Sequence, residues 1–90
     1  MAIGRAAHRA FGSMVVARGG RAEVSLGSYG RADAVWRNKV IELKPHNSAA
    51  IARGIKQLAR YERGSSLQGQ LWTYKKTMFG RFKFKCQRGC

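Results

Sequence analysis

Arg31-Ala32-Asp33-Ala34-Val35-Trp36-Arg37-Asn38-Lys39-Val40-Ile41-Glu42-Leu43-Lys44-Pro45 is the stretch that decides the fold of this chain. Residues 32–36 and 39–44 are β-prone, and Arg37-Asn38 is short enough for a tight hairpin, with Asn tolerant of positive φ. Such a turn sets the two strands antiparallel and side by side. Alternation then points Glu42 and Lys44 to one face and Ile41 and Leu43 to the other. If the register brings Asp33 across from that face, two carboxylates converge with room for a hard divalent cation, which favours oxygen ligands and keeps some of its waters. Mg²⁺ is the natural occupant, with Mn²⁺ a close second. An isolated Glu-x-Lys is more often an ion pair on a solvated strand face. Here two of only four acidic residues, in a chain with 18 Lys and Arg, fall in one group.

A cation held by Asp33 and Glu42 would serve phosphodiester hydrolysis by lowering the pKa of a bound water and polarising the scissile phosphate. Lys44 would orient or deprotonate the nucleophile and offset developing charge. The Leu43 backbone carbonyl is a further oxygen ligand for the metal. Downstream of Pro45, Asn47 or Ser48 is a candidate N-cap for a helix over 49–62. Ile51, Ile55, Leu58 and Ala59 form its core-facing stripe, and Gln57 and Tyr61, four apart, share the adjoining face. A surface pair with no role is the plain alternative for Gln57 and Tyr61. Their place one helix after the Glu-x-Lys strand favours the site.

Together, Asp33, Glu42-Leu43-Lys44 and Gln57-Leu58-Ala59-Arg60-Tyr61 resemble the PD-(D/E)xK nuclease superfamily, with the Gln-x-x-x-Tyr signature of its RecB-like members. More closely, residues 31–35, 40–47 and 50–61 are similar to the restriction-endonuclease-fold toxin domains at the C-terminal tips of bacterial polymorphic toxins. The resemblance implies an α/β (α+β) restriction-endonuclease-like core, a central mixed sheet with flanking helices in the order α-β-β-β-α-β(β). It implies Asp33 and Glu42 as metal ligands, Lys44 as the catalytic lysine, and Gln57 with Tyr61 steadying the site or the substrate phosphate. Ala32 stands where the superfamily name has Pro. Many relatives carry an acid in the first helix, whereas residues 1–20 here contain none. Glu23 is the candidate to replace it.

Composition agrees with a nucleic-acid partner. The net charge of +14 on 90 residues neutralises phosphate and releases counterions on binding. Alternation of Phe82 and Phe84 with Arg81, Lys83 and Lys85 reads as a half-buried strand, aromatics in the core and cations free for phosphate. The length suits a single domain over 1–90. No apolar run approaches the ~20 residues needed to span a membrane, and none forms a cleavable signal. Ile3, Ala6, Ala7, Ala10, Phe11 and Met14 mark a first helix ended by Gly19-Gly20. Residues 21–26 read as the first strand, Gly27-Ser28-Tyr29-Gly30 as a turn, and Arg63-Gly64-Ser65-Ser66 as a linker.

Cys86 and Cys90 are spaced C-x₃-C. A zinc site needs about four ligands, and only His8 and His46 remain to complete one, so zinc is not expected and free thiols are. His8 reads as a helix residue beside the core, and His46 as a cleft-border or capping residue. The expected function is that of a metal-dependent DNA endonuclease. As the resemblance implies, it would be a toxin secreted or delivered into the target bacterial cytoplasm and neutralised by an immunity protein, which the charge suggests is acidic. A non-catalytic basic nucleic-acid-binding module and a repair or junction-resolving nuclease acting in its own cytoplasm are the alternatives. RNA as substrate stays open.

Overall fold

Arg37 and Asn38 both take positive φ, 54° and 63°, the backbone of a two-residue turn whose twist matches that of the strands it joins. This hairpin, β2 (Arg31–Trp36) and β3 (Lys39–Pro45), is the centre of a computed structural model that describes residues 2–90. Met1, the first residue of the expected domain, lies outside them. A helix α1 (Ala2–Ala17) and a strand β1 (Arg21–Ser25) precede the hairpin, with a single 3₁₀ turn at Gly27–Tyr29 between β1 and β2. Helix α2 (Ser48–Ser65) and strands β4 (Gln68–Lys76) and β5 (Phe82–Arg88) follow. The expected order α-β-β-β-α-β(β) is therefore observed with both closing strands present.

The five strands form one sheet in the order β1-β2-β3-β4-β5. All neighbours are antiparallel except β3 and β4, which run parallel from Lys39↔Gln68 to Pro45↔Tyr74. A parallel pair needs a crossover, and α2 supplies it. The alternation expected of β3 is what the sheet uses. Ile41 and Leu43 enter a core under α1 with Phe11, Val15, Trp36 and Tyr74, while Val40 enters a second core under α2 with Leu58, Tyr61 and Leu71. Glu42 and Lys44 share the α2 side with Val40. Phe82 and Phe84 pack half-buried against the α1-side core, and Arg81, Lys83 and Lys85 face solvent, as their alternation predicts.

Three local expectations are corrected. The buried row of α1 is Ala7, Phe11 and Val15, an i, i+4, i+8 line, whereas Ile3 is half exposed and Ala6 exposed. Gly12 allows this rotation, because its Cα approaches Ala22 of β1 closely enough that an added Cβ would meet the Ala22 methyl at 3.2 Å. On α2 the buried positions are Ala50, Gly54, Leu58 and Tyr61, with Ile51 and Ile55 flanking them and Ala59 exposed. Residues 63–66 are no linker. They complete α2, where Gly64 admits the Tyr29 ring, the Ser65 hydroxyl donates to the Tyr61 carbonyl, and Ser66 ends the helix at φ 60°. Asn47 is the N-cap, its Oδ1 accepting from the Ala50 N–H at 2.8 Å.

Cys86 and Cys90 are joined in a disulfide, which corrects the expectation of free thiols. Gly89, at φ 78°, turns the chain back and leaves the two Cα atoms 6.1 Å apart, within bridging range.

Candidate active site

Asp33 occupies the place where two ladders break. Pairing of β2 with β1 skips Glu23 and Asp33, and Glu23 sits in the left-handed region at φ 52°. Pairing of β2 with β3 runs from Trp36↔Lys39 only to Ala34↔Ile41. Beyond it the Leu43 N–H donates to Asp33 Oδ2 at 2.7 Å, so a carboxylate stands in for the missing backbone carbonyl. The same irregularity resets the strand's alternation. Ala34 belongs to the α1-side core and Ala32, two residues away, to the α2-side core. Asp33 is thus aimed along the gap between β2 and β3 and not squarely to either layer.

Glu42, across that gap, hydrogen-bonds the Asp33 carboxylate and is almost fully buried. Burial first, then the hydrogen bond with Asp33 and the Asp33 charge, push the Glu42 carboxyl up to about 9, which favours its protonated form at neutral pH. Burial opposes ionisation of Asp33 as well. Hydrogen bonds from His8, Glu42 and the Leu43 N–H outweigh it and hold Asp33 below the usual carboxylate range. The two acids are a pair sharing one proton. Lys44 Nζ lies 3.3 Å from Glu42 Oε2. Its stem passes Gly54 of α2, where an added Cβ would stand 2.9 Å from Lys44 Cγ.

Gln57 and Tyr61 come together on α2, the Gln57 Nε2 donating to the Tyr61 hydroxyl at 2.7 Å. The Tyr61 ring is buried and packs on Gly30, whose φ of 111° keeps the chain clear of it. Burial, followed by the charges of Glu42 and Asp33, raises the Tyr61 phenol to about 12. The phenol therefore stays protonated and faces the acid pair as a neutral donor.

His8 is the site residue that sequence reasoning placed only beside the core. Its Nε2 is 3.4 Å from Asp33 Oδ1, and its Nδ1–H donates to the Gly4 carbonyl at 2.8 Å. The hydrogen bond to Asp33 raises the imidazole to about 9 against the lowering effect of burial. Where the resemblance implies an acid, α1 presents a cation. The signal was available: His8 follows Ala7 and precedes Phe11 by three, on the margin of the helix's buried row. Glu23 does not join the pair. It lies on the surface with Arg31 at 3.8 Å, while Glu62 accepts from the Gly69 N–H at 2.7 Å and is structural. His46 is exposed and no cap, with its Nδ1 3.0 Å from Thr73 Oγ1. A groove of about 970 Å³ opens along α1 beside Asp33, walled by Arg5, His8, Arg9 and Glu23.

Among the described residues no group of three or more His, Cys, Asp and Glu side chains is gathered for a metal. The donor set still fits a hard cation that retains its own waters: two adjacent carboxyl groups, Asp33 and Glu42, supply hard oxygen donors. The Leu43 carbonyl faces the same gap. The Leu43 N–H points to the β2 edge, and in a strand the carbonyl of a residue points to the same side as its N–H.

A mixed sheet in this order, a helix on each face, and a carboxylate pair with a lysine on the central hairpin define a restriction-endonuclease-like nuclease core of the PD-(D/E)xK kind. Residues 1–79 match the model of the family described as restriction endonuclease fold toxin 9, Tox-REase-9, and the chain belongs to that family. It is a nuclease toxin domain. No curated protein and no solved structure matches it significantly.

Proposed function

We propose that residues 1–90 form one catalytic domain that cuts DNA as an endonuclease with a divalent cation, Mg²⁺ or Mn²⁺, held by Asp33, Glu42 and the Leu43 carbonyl. The observation that carries this reading is the convergence of the buried Glu42 carboxyl with Asp33, which the Leu43 N–H aims, and with Lys44 Nζ at 3.3 Å. The cation, when bound, supplies Lewis-acid charge at the scissile phosphate. Asp33 is already ionised and aimed by the Leu43 N–H and His8, so it needs no reorganisation. With a cation bound, Glu42 would be held as the carboxylate, with Lys44 Nζ beside it at 3.3 Å. Lys44 then orients the attacking water and offsets charge on the phosphate oxygens. Tyr61, fixed by Gln57, offers its hydroxyl as a neutral hydrogen-bond donor at the rim, and Arg5 and Arg9 line a path for the substrate strand.

DNA is favoured as substrate by the +14 charge together with a groove walled by arginines. As a toxin the domain would be delivered into the cytoplasm of a target bacterium and held inactive by an immunity protein, acidic so as to complement this charge. No helix among the described residues is long and apolar enough to cross a membrane. The test is cleavage of supercoiled plasmid with Mg²⁺ and with EDTA by the wild type and by folded Asp33→Ala and Lys44→Ala variants. Metal-dependent nicking that drops by about 100-fold or more in both variants is expected. Duplex binding with no cutting, even with Mn²⁺, would make the domain a binding module, and cutting confined to RNA would replace the substrate.

A further inference from the structure

The β4–β5 hairpin ends in two of the most exposed apolar side chains of the protein, Met78 at 89% and Phe79 at 85%. The turn that carries them is built. Thr77 N–H donates to the Arg81 carbonyl, the Gly80 N–H to the Thr77 carbonyl, and the Arg81 N–H to Thr77 Oγ1, with Gly80 at φ 77°. Below the turn, Tyr74 and Phe82 meet edge to face at 6.0 Å and anchor the hairpin in the α1-side core. Two large apolar groups are therefore held rigidly away from the body, at a cost in solvation that nothing in the fold recovers.

Cross-strand register adds a second, independent observation. Lys75 stands directly opposite Lys83, and Lys85 opposite Thr73, which is itself the partner of Lys44. Partnered residues project to the same face, so Lys44, Lys85, Lys83 and Lys75 share the α2 side of the sheet. Like charges set directly opposite each other destabilise a strand pair. An anion between them reverses that penalty. With neighbouring strands about 4.8 Å apart, the row runs from Lys44 across β4 to Lys85 in roughly 10 Å, then along the hairpin toward its tip. Because β3 and β4 are parallel, the tip projects from the sheet end at which Lys44 sits.

We infer that the β4–β5 hairpin is a duplex-DNA clamp, in which Lys85, Lys83 and Lys75 track one phosphate strand away from the cleavage site and Met78-Phe79 enters a groove as an apolar wedge between base steps. The inference rests on the reading of this domain as a DNA nuclease. Short basic hairpins with apolar tips suit that task, because partial unstacking of a step is offset by the protein surface the bent duplex then contacts. The charge surrounding the tip favours nucleic acid over an uncharged apolar partner. Wedge insertion is independent of base identity, which fits an enzyme that must damage any genome it meets.

The test separates clamp from chemistry. Duplex binding is measured in EDTA on an oligonucleotide with 2-aminopurine at successive steps, using the wild type and the Met78→Ser/Phe79→Ser, Phe79→Leu and Lys83→Ser variants, alongside plasmid cleavage in Mg²⁺. The tip side chains touch no core residue, so folding should be unchanged by circular dichroism. Wild type should raise 2-aminopurine fluorescence at one or two adjacent steps, and the double serine variant should lose that signal and about 5- to 30-fold in affinity, with Phe79→Leu restoring both. Cleavage by the serine variant should show a raised KM at little-changed kcat. Lys83→Ser should stabilise the free protein yet lower the salt dependence of binding by about one phosphate contact. Unchanged affinity and fluorescence in the serine variant of an active nuclease would overturn the clamp alone, and so would loss confined to binding of anionic lipid vesicles. Absence of cleavage by the wild type would instead sink the nuclease reading, and wedge signals in EDTA would still report on the hairpin.

Discussion

A single proton on Glu42 is the smallest feature on which the site depends. Its carboxyl, pushed up to about 9 by burial and by Asp33, is ionised in an unfolded chain above its ordinary range near 4.5 but protonated in the native one. The native form therefore gains stability from this group at low pH and loses it progressively as pH rises toward 9. His8, raised to about 9 by Asp33, works in the same sense between its ordinary value of 6.5 and 9. Asp33, held low, works oppositely and only in acid. Thermal unfolding in EDTA should accordingly show a falling midpoint from about pH 6.5 to 9. Glu42→Gln, which keeps the shape and removes the ionisation, should remove about half of that fall, His8 carrying the rest, and gain on the order of 1–3 kcal/mol at pH 8.5, while abolishing cleavage. A variant less stable than wild type at that pH would mean that Glu42 is ionised and stabilising in the native protein.

At the scale of elements, Gly54 couples α2 to the chemistry. An added Cβ would stand 2.7 Å from Leu71 Cδ1, in a fully buried side chain, and 2.9 Å from Lys44 Cγ. Gly54→Ala gains helix propensity of about 1 kcal/mol but overpacks by about 1–3 kcal/mol, so a net loss of stability is expected from chemical denaturation. Cleavage should fall more than tenfold because Lys44 is displaced, and a fully active, more stable variant would show that the helix simply shifts outward. The C-terminal disulfide lies outside the segment matched by the family and closes only a five-residue loop. Its reduction should lower stability by no more than about 2 kcal/mol and leave cleavage intact. The central hairpin, its turn, the two faces of β3 and the Gln57–Tyr61 pair were legible from residues 31–61, because strand alternation, turn chemistry and i, i+4 spacing are local rules, and the element order followed from the family resemblance. What stayed hidden was non-local. The break in β2 at Asp33 depends on the left-handed Glu23 of another strand, the rotation of α1 depends on Gly12 meeting Ala22, and residues 63–66 continue a helix only because Tyr29 packs on Gly64. The place of His8 on the margin of the buried row of α1 was readable, whereas nothing within α1 says that Asp33 lies opposite it. Spacing said little about the cysteines, which a left-handed Gly89 brings together.

The whole molecule is a body of net charge +14 with two acids at its centre, and the two facts have different consequences. The surface charge draws polyanions from a distance and is screened by salt. The buried pair repels phosphate unless something positive lies between the carboxylates, and at neutral pH that something is a proton together with His8 and Lys44. On the function proposed above, a divalent cation held by Asp33 and Glu42 would take the place of this proton. Calorimetric titration of the full chain with Mn²⁺ at pH 7.5, in two buffers of different ionisation enthalpy, measures that exchange without substrate or turnover. Saturable binding of one cation with release of about one proton, lost in Glu42→Gln, is the expected result. Binding that releases no proton and survives in Glu42→Gln, or no binding at all, would contradict a metal site at Asp33 and Glu42.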